Sequence, residues 1–236
     1  MSTVIHATHE AVQKVGGIGT VLEGLVTTPS YQKAVERTFL VGPLSAASDE
    51  DRIAREGKVL YSSITGTNGG PAGRKLDRVS EKYNVNLVYG RRTLTDSSTG
   101  ASAEAEVLLV DSLYLNRRLE NNLKLNLFKA FGLESDRYEA SADFLLHLRI
   151  AGPAYEALSA LLTRTRGPHF VLAHEYMGLP LALTAALYGR PDFRTVFYAH
   201  EVSTARAIVE DSPGHDTMFY NAMEQALASG DDIQTV

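Results

Sequence analysis

The sequence predicts an α/β protein in which a parallel sheet is covered by helices on both faces. Three observations carry that prediction. Short runs rich in β-branched and aromatic residues recur along the chain and alternate with helical patterns, as strand–helix–strand units do. Several of these runs are continuously apolar, as strands buried on both faces should be. And 44% of the 236 residues are hydrophobic, enough to fill a substantial core without covalent staples.

Taken in order, the first strand is expected at Thr3–Thr8, followed by a short loop and a helix over Gly19–Val26. Arg37–Val41 reads as a strand, Asp49–Arg55 as a helix and Lys58–Ile64 as a strand. Thr65–Gly73 holds four glycines and a proline and must turn before the helical pattern of Arg74–Tyr83. Val85–Tyr89 and Ala105–Val110 are strand patterns separated by the small, polar, exposed stretch Thr95–Ala103. Helices are expected at Leu119–Phe131 and Asp136–Thr165, then a strand at His169–Ala173, a helix at Gly178–Tyr188 and a strand at Arg194–Ala199. Asp216–Ser229 is a last helical pattern. Strand patterns resume directly after each loop, so residues 1–236 are read as one domain, with no internal repeat or low-complexity tail. Ile233 and Val236 read as the approach to another element, so the chain is expected to stop at a boundary set by cloning or by gene-model truncation.

Composition excludes several classes of function. There is no cysteine, which removes disulfides, thiol nucleophiles and every thiolate-bound metal centre. With 28 acidic and 23 basic side chains the net charge is −5, and no basic face for nucleic acid is expected. The Met1–His6 segment lacks the basic and apolar regions of a secretory leader. Tyr176–Gly189, the longest nearly apolar stretch, falls short of the roughly 20 residues a membrane span takes and reads as a buried helix. A soluble cytoplasmic protein without membrane partners is the expectation.

The sharpest local signal is Lys14-Val15-Gly16-Gly17-Ile18-Gly19, placed between the first strand and the first helix. Glycines there let a backbone approach an anion, the helix N-terminus favours negative charge, and Lys14 adds a cation. The same glycines also suit a tight strand-to-helix turn with no ligand, and the motif alone leaves both readings open. A phosphate-binding P-loop is excluded, because no Gly-x-x-x-x-Gly-Lys-Ser/Thr run exists. A dinucleotide fingerprint is disfavoured, because Gly19 is followed by Leu22 where a third glycine belongs and the second strand ends without an acid.

Three His-Glu pairs, His9-Glu10, His174-Glu175 and His200-Glu201, each follow a predicted strand directly. In an open parallel sheet ligands sit outside the carboxyl ends of the strands, so all three pairs and the glycine loop are expected on one rim. No helical His-x-x-x-His or Glu-x-x-His spacing supports a metal site, and no Gly-x-Ser-x-Gly elbow supports a serine hydrolase. His147 and His169 fall within apolar patterns and read as structural.

At this point the chain resembles a known family. Val4-Ile5-His6-Ala7-Thr8-His9-Glu10 followed by Lys14-Val15-Gly16-Gly17 is similar to the opening of glycogen and starch synthases. Val107–Tyr114, with Asp111 and Tyr114, the long helical pattern Arg137–Leu158, Val171–Glu175 and Phe197–Glu201 match later landmarks of that family in order and spacing. The resemblance implies a Rossmann-like domain, the N-terminal, acceptor-side half of a GT-B fold, in a retaining hexosyltransferase. That enzyme would move glucose from ADP- or UDP-glucose to an α-1,4-glucan without a cofactor or metal. By the same resemblance Lys14, Gly16 and Gly17 would hold the donor diphosphate, and His200 would lie beside the transferred sugar. Glu175 would have an ordering or acid role, with His9, Glu10, His174 and Glu201 around the cleft. Glu175 stands where the family has Asp and Glu201 where it has Asn, which leaves the donor nucleotide open. The C-terminal donor-binding domain is absent from this chain, so the chain alone is expected to be inactive. A non-enzymatic module binding glucans or a phosphorylated sugar is the alternative. A nucleotide-sugar epimerase is disfavoured by the missing strand-end acid and the absence of a Tyr-x-x-x-Lys pair.

Overall fold

The computed structural model describes residues 2–163, 167–188 and 190–200, together with Asn221, Glu224 and Ala228. Two compact units are present, Met1–Tyr198 and Ala199–Val236. In the second, Asn221, Glu224 and Ala228 are helical and exposed, within the span where a helix is expected.

The first unit is α/β and Rossmann-like. Among the described residues seven strands form one sheet: β1 (Ser2–Ala7), β2 (Val35–Pro43), β3 (Gly57–Ser62), β4 (Asn86–Thr95), β5 (Ser102–Asp111), β6 (His169–His174) and β7 (Phe193–Tyr198). Their order is β3-β4-β5-β2-β1-β6-β7. The helices are α1 (Gly17–Val26), α2 (Pro29–Ala34), α3 (Ala47–Glu56), α4 (Pro71–Tyr83), α5 (Arg117–Phe131), α6 (Ala142–Leu161) and α7 (Glu175–Tyr188).

Every predicted strand has its counterpart, but one runs against the rest. β4 pairs antiparallel with both β3 and β5, whereas the β1–β2, β2–β5, β1–β6 and β6–β7 pairs are parallel. The cause is the connection. β4 and β5 are joined by a tight turn closed by the Asp96 N–H on the Ala101 carbonyl and the Gly100 N–H on the Asp96 carbonyl. A turn that short cannot return the chain for a parallel pairing, which needs a crossover of about a dozen residues.

Helix boundaries differ from the sequence reading where caps decide them. Pro71 opens α4 after Gly70, whose φ of +67 reverses the chain, so the helix claims the end of the glycine-rich stretch. The long pattern from Asp136 splits into a 3₁₀ turn at Ser135–Tyr138 and α6, which Ser141 caps by accepting from the Phe144 N–H. α2 has no counterpart in the sequence pattern. It is a six-residue helix capped by Thr28, too short for its periodicity to show.

The two faces of the sheet carry separate cores. Ile5, Ala7, Phe39, Leu108 and Val171 pack on one side against α4, α6 and α7. Leu40, Val88, Val107 and Leu109 pack on the other against Ile18, Leu22 and Val26 of α1 and Ile53 of α3. Adjacent strands β1 and β6 therefore send their following helices, α1 and α7, to opposite faces. α7 is seated very close to the sheet: a Cβ on Gly178 would lie 2.4 Å from the Ala7 carbonyl oxygen and 2.7 Å from the Ala173 Cα. Among the described residues no helix is long and apolar enough to cross a membrane.

Replacing Gly178 by Ala tests that seating. Alanine alone improves a helix by about 1 kcal/mol. Here backbone overlap is expected to outweigh the gain and lower unfolding free energy by roughly 1–3 kcal/mol in urea titrations.

Candidate functional site

The loop from Thr8 to Gly16, between β1 and α1, is built around the Glu10 side chain. Glu10 is buried, and its Oε2 accepts from the backbone N–H groups of Val15 (3.1 Å), Gly16 (3.0 Å) and Gly19 (2.9 Å). The glycines are explained by this approach. A Cβ on Gly19 would meet Glu10 Oε2 at 2.6 Å, and one on Gly16 would meet Oε1 at 3.1 Å. The loop is thus an anion nest at a helix N-terminus, and its occupant is the protein's own carboxylate. Over Gly17, by contrast, nothing lies within 4 Å of where a Cβ would stand.

Other contacts fix the rest of the loop. The buried Arg92, from β4, donates from Nη1 to the carbonyl oxygens of Ala11 (3.1 Å) and Val12 (2.7 Å) and pairs through Nη2 with Glu56 at 2.7 Å. Gln13 donates to Asp49 Oδ1 at 2.6 Å. Asp49 Oδ2 in turn accepts from the Ser45 and Ala46 N–H groups at the start of α3. Lys14 Nζ pairs with Glu23 Oε2 on α1 at 2.9 Å, in an exposed contact.

Beside the loop lies a cleft of 410 Å³, lined among others by His9, Gln13, Asp49, Asp143, His147 and Tyr176. It sits outside the carboxyl ends of β1 and β6, where α1 and α7 leave for opposite faces of the sheet, the place where open α/β sheets take their ligands. Its far wall comes from the starts of α6 and α7. There the Tyr176 hydroxyl donates to Asp143, and Asp143 Oδ1 is 3.4 Å from His147 Nε2. The Asp143 contact raises the Tyr176 hydroxyl to about 12. Burial lowers the His147 ring, with nearby His9 acting in the same direction and Asp143 opposing. His9 Nε2 lies 3.5 Å from Glu10 Oε1.

The expected residues are thus distributed unevenly. His9, Glu10, Lys14, Gly16 and Gly17 are together in the β1–α1 loop. His174 ends β6 but is buried beneath the rim, its Nε2 2.9 Å from His6 Nδ1. His6 Nε2 continues to the Tyr31 hydroxyl at 3.0 Å, and Tyr31 to the Thr38 hydroxyl at 3.1 Å. Glu175 opens α7 with a left-handed φ of +55, which turns the chain sharply so that Tyr176 and Met177 reach the cleft. His200 belongs to the second compact unit, and Glu201 lies outside the described residues.

The sequence does not single out Arg92, Asp49, Asp143 or Tyr176, and its apolar pattern marks His147 as structural. His147 is both buried and part of the cleft wall. The i,i+4 spacing of Asp143 and His147 was the available signal for that pair; nothing near Arg92 in sequence marks its distant carbonyl partners. Among the described residues no group of three or more His, Asp or Glu is arranged to hold a metal. A scan against protein-family models and a search of curated proteins found no match for this chain.

Burial pushes the His6 ring down to about 3, with His174 adding to the shift. The folded protein therefore leaves His6 neutral at pH values where the unfolded chain, with an ordinary value near 6.5, takes up a proton. Stability is expected to fall as pH drops from about 6.5 toward 3, with a slope from this one site approaching 1.4 kcal/mol per pH unit. His147 and His169 are lowered too and act in the same sense. In urea titrations across that range, His6→Gln should show a visibly shallower slope than the parent protein.

Proposed function

We propose that this chain is the N-terminal, acceptor-side domain of a cytoplasmic retaining glycosyltransferase of the glycogen and starch synthase type. Such an enzyme transfers glucose from ADP- or UDP-glucose to an α-1,4-glucan. One observation carries the reading. The glycine loop at the N-terminus of α1 and the polar cleft share the rim at the carboxyl ends of β1 and β6, and His9 and Val15 belong to both. A donor diphosphate would meet the open backbone at Gly17, the dipole of α1 and Lys14. A sugar would meet the carboxylates, imidazoles and phenol of the cleft. The chemistry fits, since a departing diphosphate gains negative charge that the α1 dipole and a lysine would stabilise. His200 and Glu175 keep the roles that the family resemblance implies, and the second domain of the GT-B pair would supply most of the donor contacts.

The 236-residue chain is expected to show negligible transfer alone, and a longer chain carrying a second Rossmann-like domain to be active. In that chain Lys14→Ala should lower kcat/KM about 100-fold. Radiolabelled glucose incorporation into glycogen measures both. Absence of transfer from either nucleotide sugar by the longer chain would sink the proposal.

A second reading, a non-catalytic module that holds α-glucans, is favoured by the internal occupation of the nest by Glu10. Maltooligosaccharides would then bind the isolated chain in the cleft, and Tyr176→Ala should weaken them about tenfold in calorimetry, as loss of one aromatic anchor does.

A further inference from the structure

Both features of the glycine loop that attract anions are already answered from within the chain, by carboxylates of different kinds. Glu10 is buried, takes three backbone N–H groups on one oxygen, and is closely approached by Gly16 and Gly19. Removing it would strand the buried Gly19 N–H, which is costly inside a protein. The Lys14–Glu23 pair is of the other kind. Its side chains are 38% and 20% exposed, its link is a single contact of 2.9 Å, and both partners regain hydration when they separate. The backbone at Gly17, between the two carboxylates in sequence, is open.

We propose that Glu10 is the permanent anion of the nest and Glu23 the exchangeable one. An incoming diphosphate takes Lys14 away from Glu23 while Glu10 stays in place, so Glu23 sets how tightly the loop holds phosphate. This rests on the reading of the loop as a diphosphate site and assigns a role to a residue outside it. Glu23 acts by holding Lys14 in the empty site and by leaving a repelling charge beside the filled one. Glu10, behind the loop, keeps the N–H groups of Val15, Gly16 and Gly19 for itself and leaves phosphate to Lys14 and the Gly17 backbone.

Calorimetric titration of the full 236-residue chain with inorganic pyrophosphate at low salt tests the exchange. Glu23→Gln should bind about two- to five-fold tighter than the parent, the span an exposed ion pair commands. The double variant Lys14→Ala/Glu23→Gln should lose the gain. Glu36→Gln makes the same change in net charge on an exposed residue near the start of β2 and should bind like the parent. The proposal is overturned if Glu23→Gln binds no tighter than the parent, silence in every variant included, or if Glu36→Gln gains equally. The glucose-transfer assay on the longer chain is independent of this outcome. A gain in Glu23→Gln without transfer keeps the exchange and removes the transferase, and transfer without a gain does the reverse.

Discussion

A carboxylate taken out of water needs donors, and the Glu10 side chain finds them in the backbone of its own loop. Three N–H groups converge on one oxygen, and two of the glycines in the motif stand where a side chain would crowd that carboxylate. Hydrogen bonds to a charged group contribute more than neutral ones, and the penalty for breaking them falls on both sides. The loop is consequently shaped by contacts within the chain. Arg92 and Asp49 secure its opposite edge, so the cleft wall formed by His9, Gln13 and Val15 rests on contacts from β4 and α3.

The other wall depends on a buried polar chain of a different sort. Thr38, Tyr31, His6 and His174 pass hydrogen bonds along one face of the sheet, and the tautomers of the two rings set the direction of the chain. A neutral His6 ring suits the site, because a charged imidazole at full burial has to be compensated. His174 is thereby anchored at the end of β6, directly before the left-handed turn at Glu175. A non-glycine residue in that conformation costs of order 1 kcal/mol and persists only where its surroundings enforce it. The close seating of Gly178 on Ala7 and Ala173 supplies that enforcement and holds Tyr176 against Asp143.

Much of the architecture was legible in the residues. Continuous apolar runs such as Val107–Val110 mark strands buried on both faces, and the glycine loop announces itself by composition and by its place after β1. The reversal of β4 had a signal as well, since Asp96-Ser97-Ser98-Thr99-Gly100 is a turn sequence too short for a crossover. The identity of the loop's anion was harder to see. Glu10 looked like half of a rim pair with His9, and only the fold of its own loop turns it inward onto Val15, Gly16 and Gly19. His174 misled in the same way: its place at a strand end is right, but its ring lies under the rim against His6.

What the sequence by itself determined is the order of strands and helices, the glycine-rich turn into α1 and the absence of thiol chemistry, because these follow from local periodicity, backbone freedom and composition. Tertiary structure decided which polar groups answer one another. Arg92 on the Ala11 and Val12 carbonyls, Asp143 with Tyr176, His6 with His174 and Lys14 with Glu23 are all pairings through space. Their partners are set by a few ångströms of separation after the sheet has assembled, and most are separated by tens of residues along the chain. Periodicity says which face of an element a residue occupies; it carries no information about what that residue meets there.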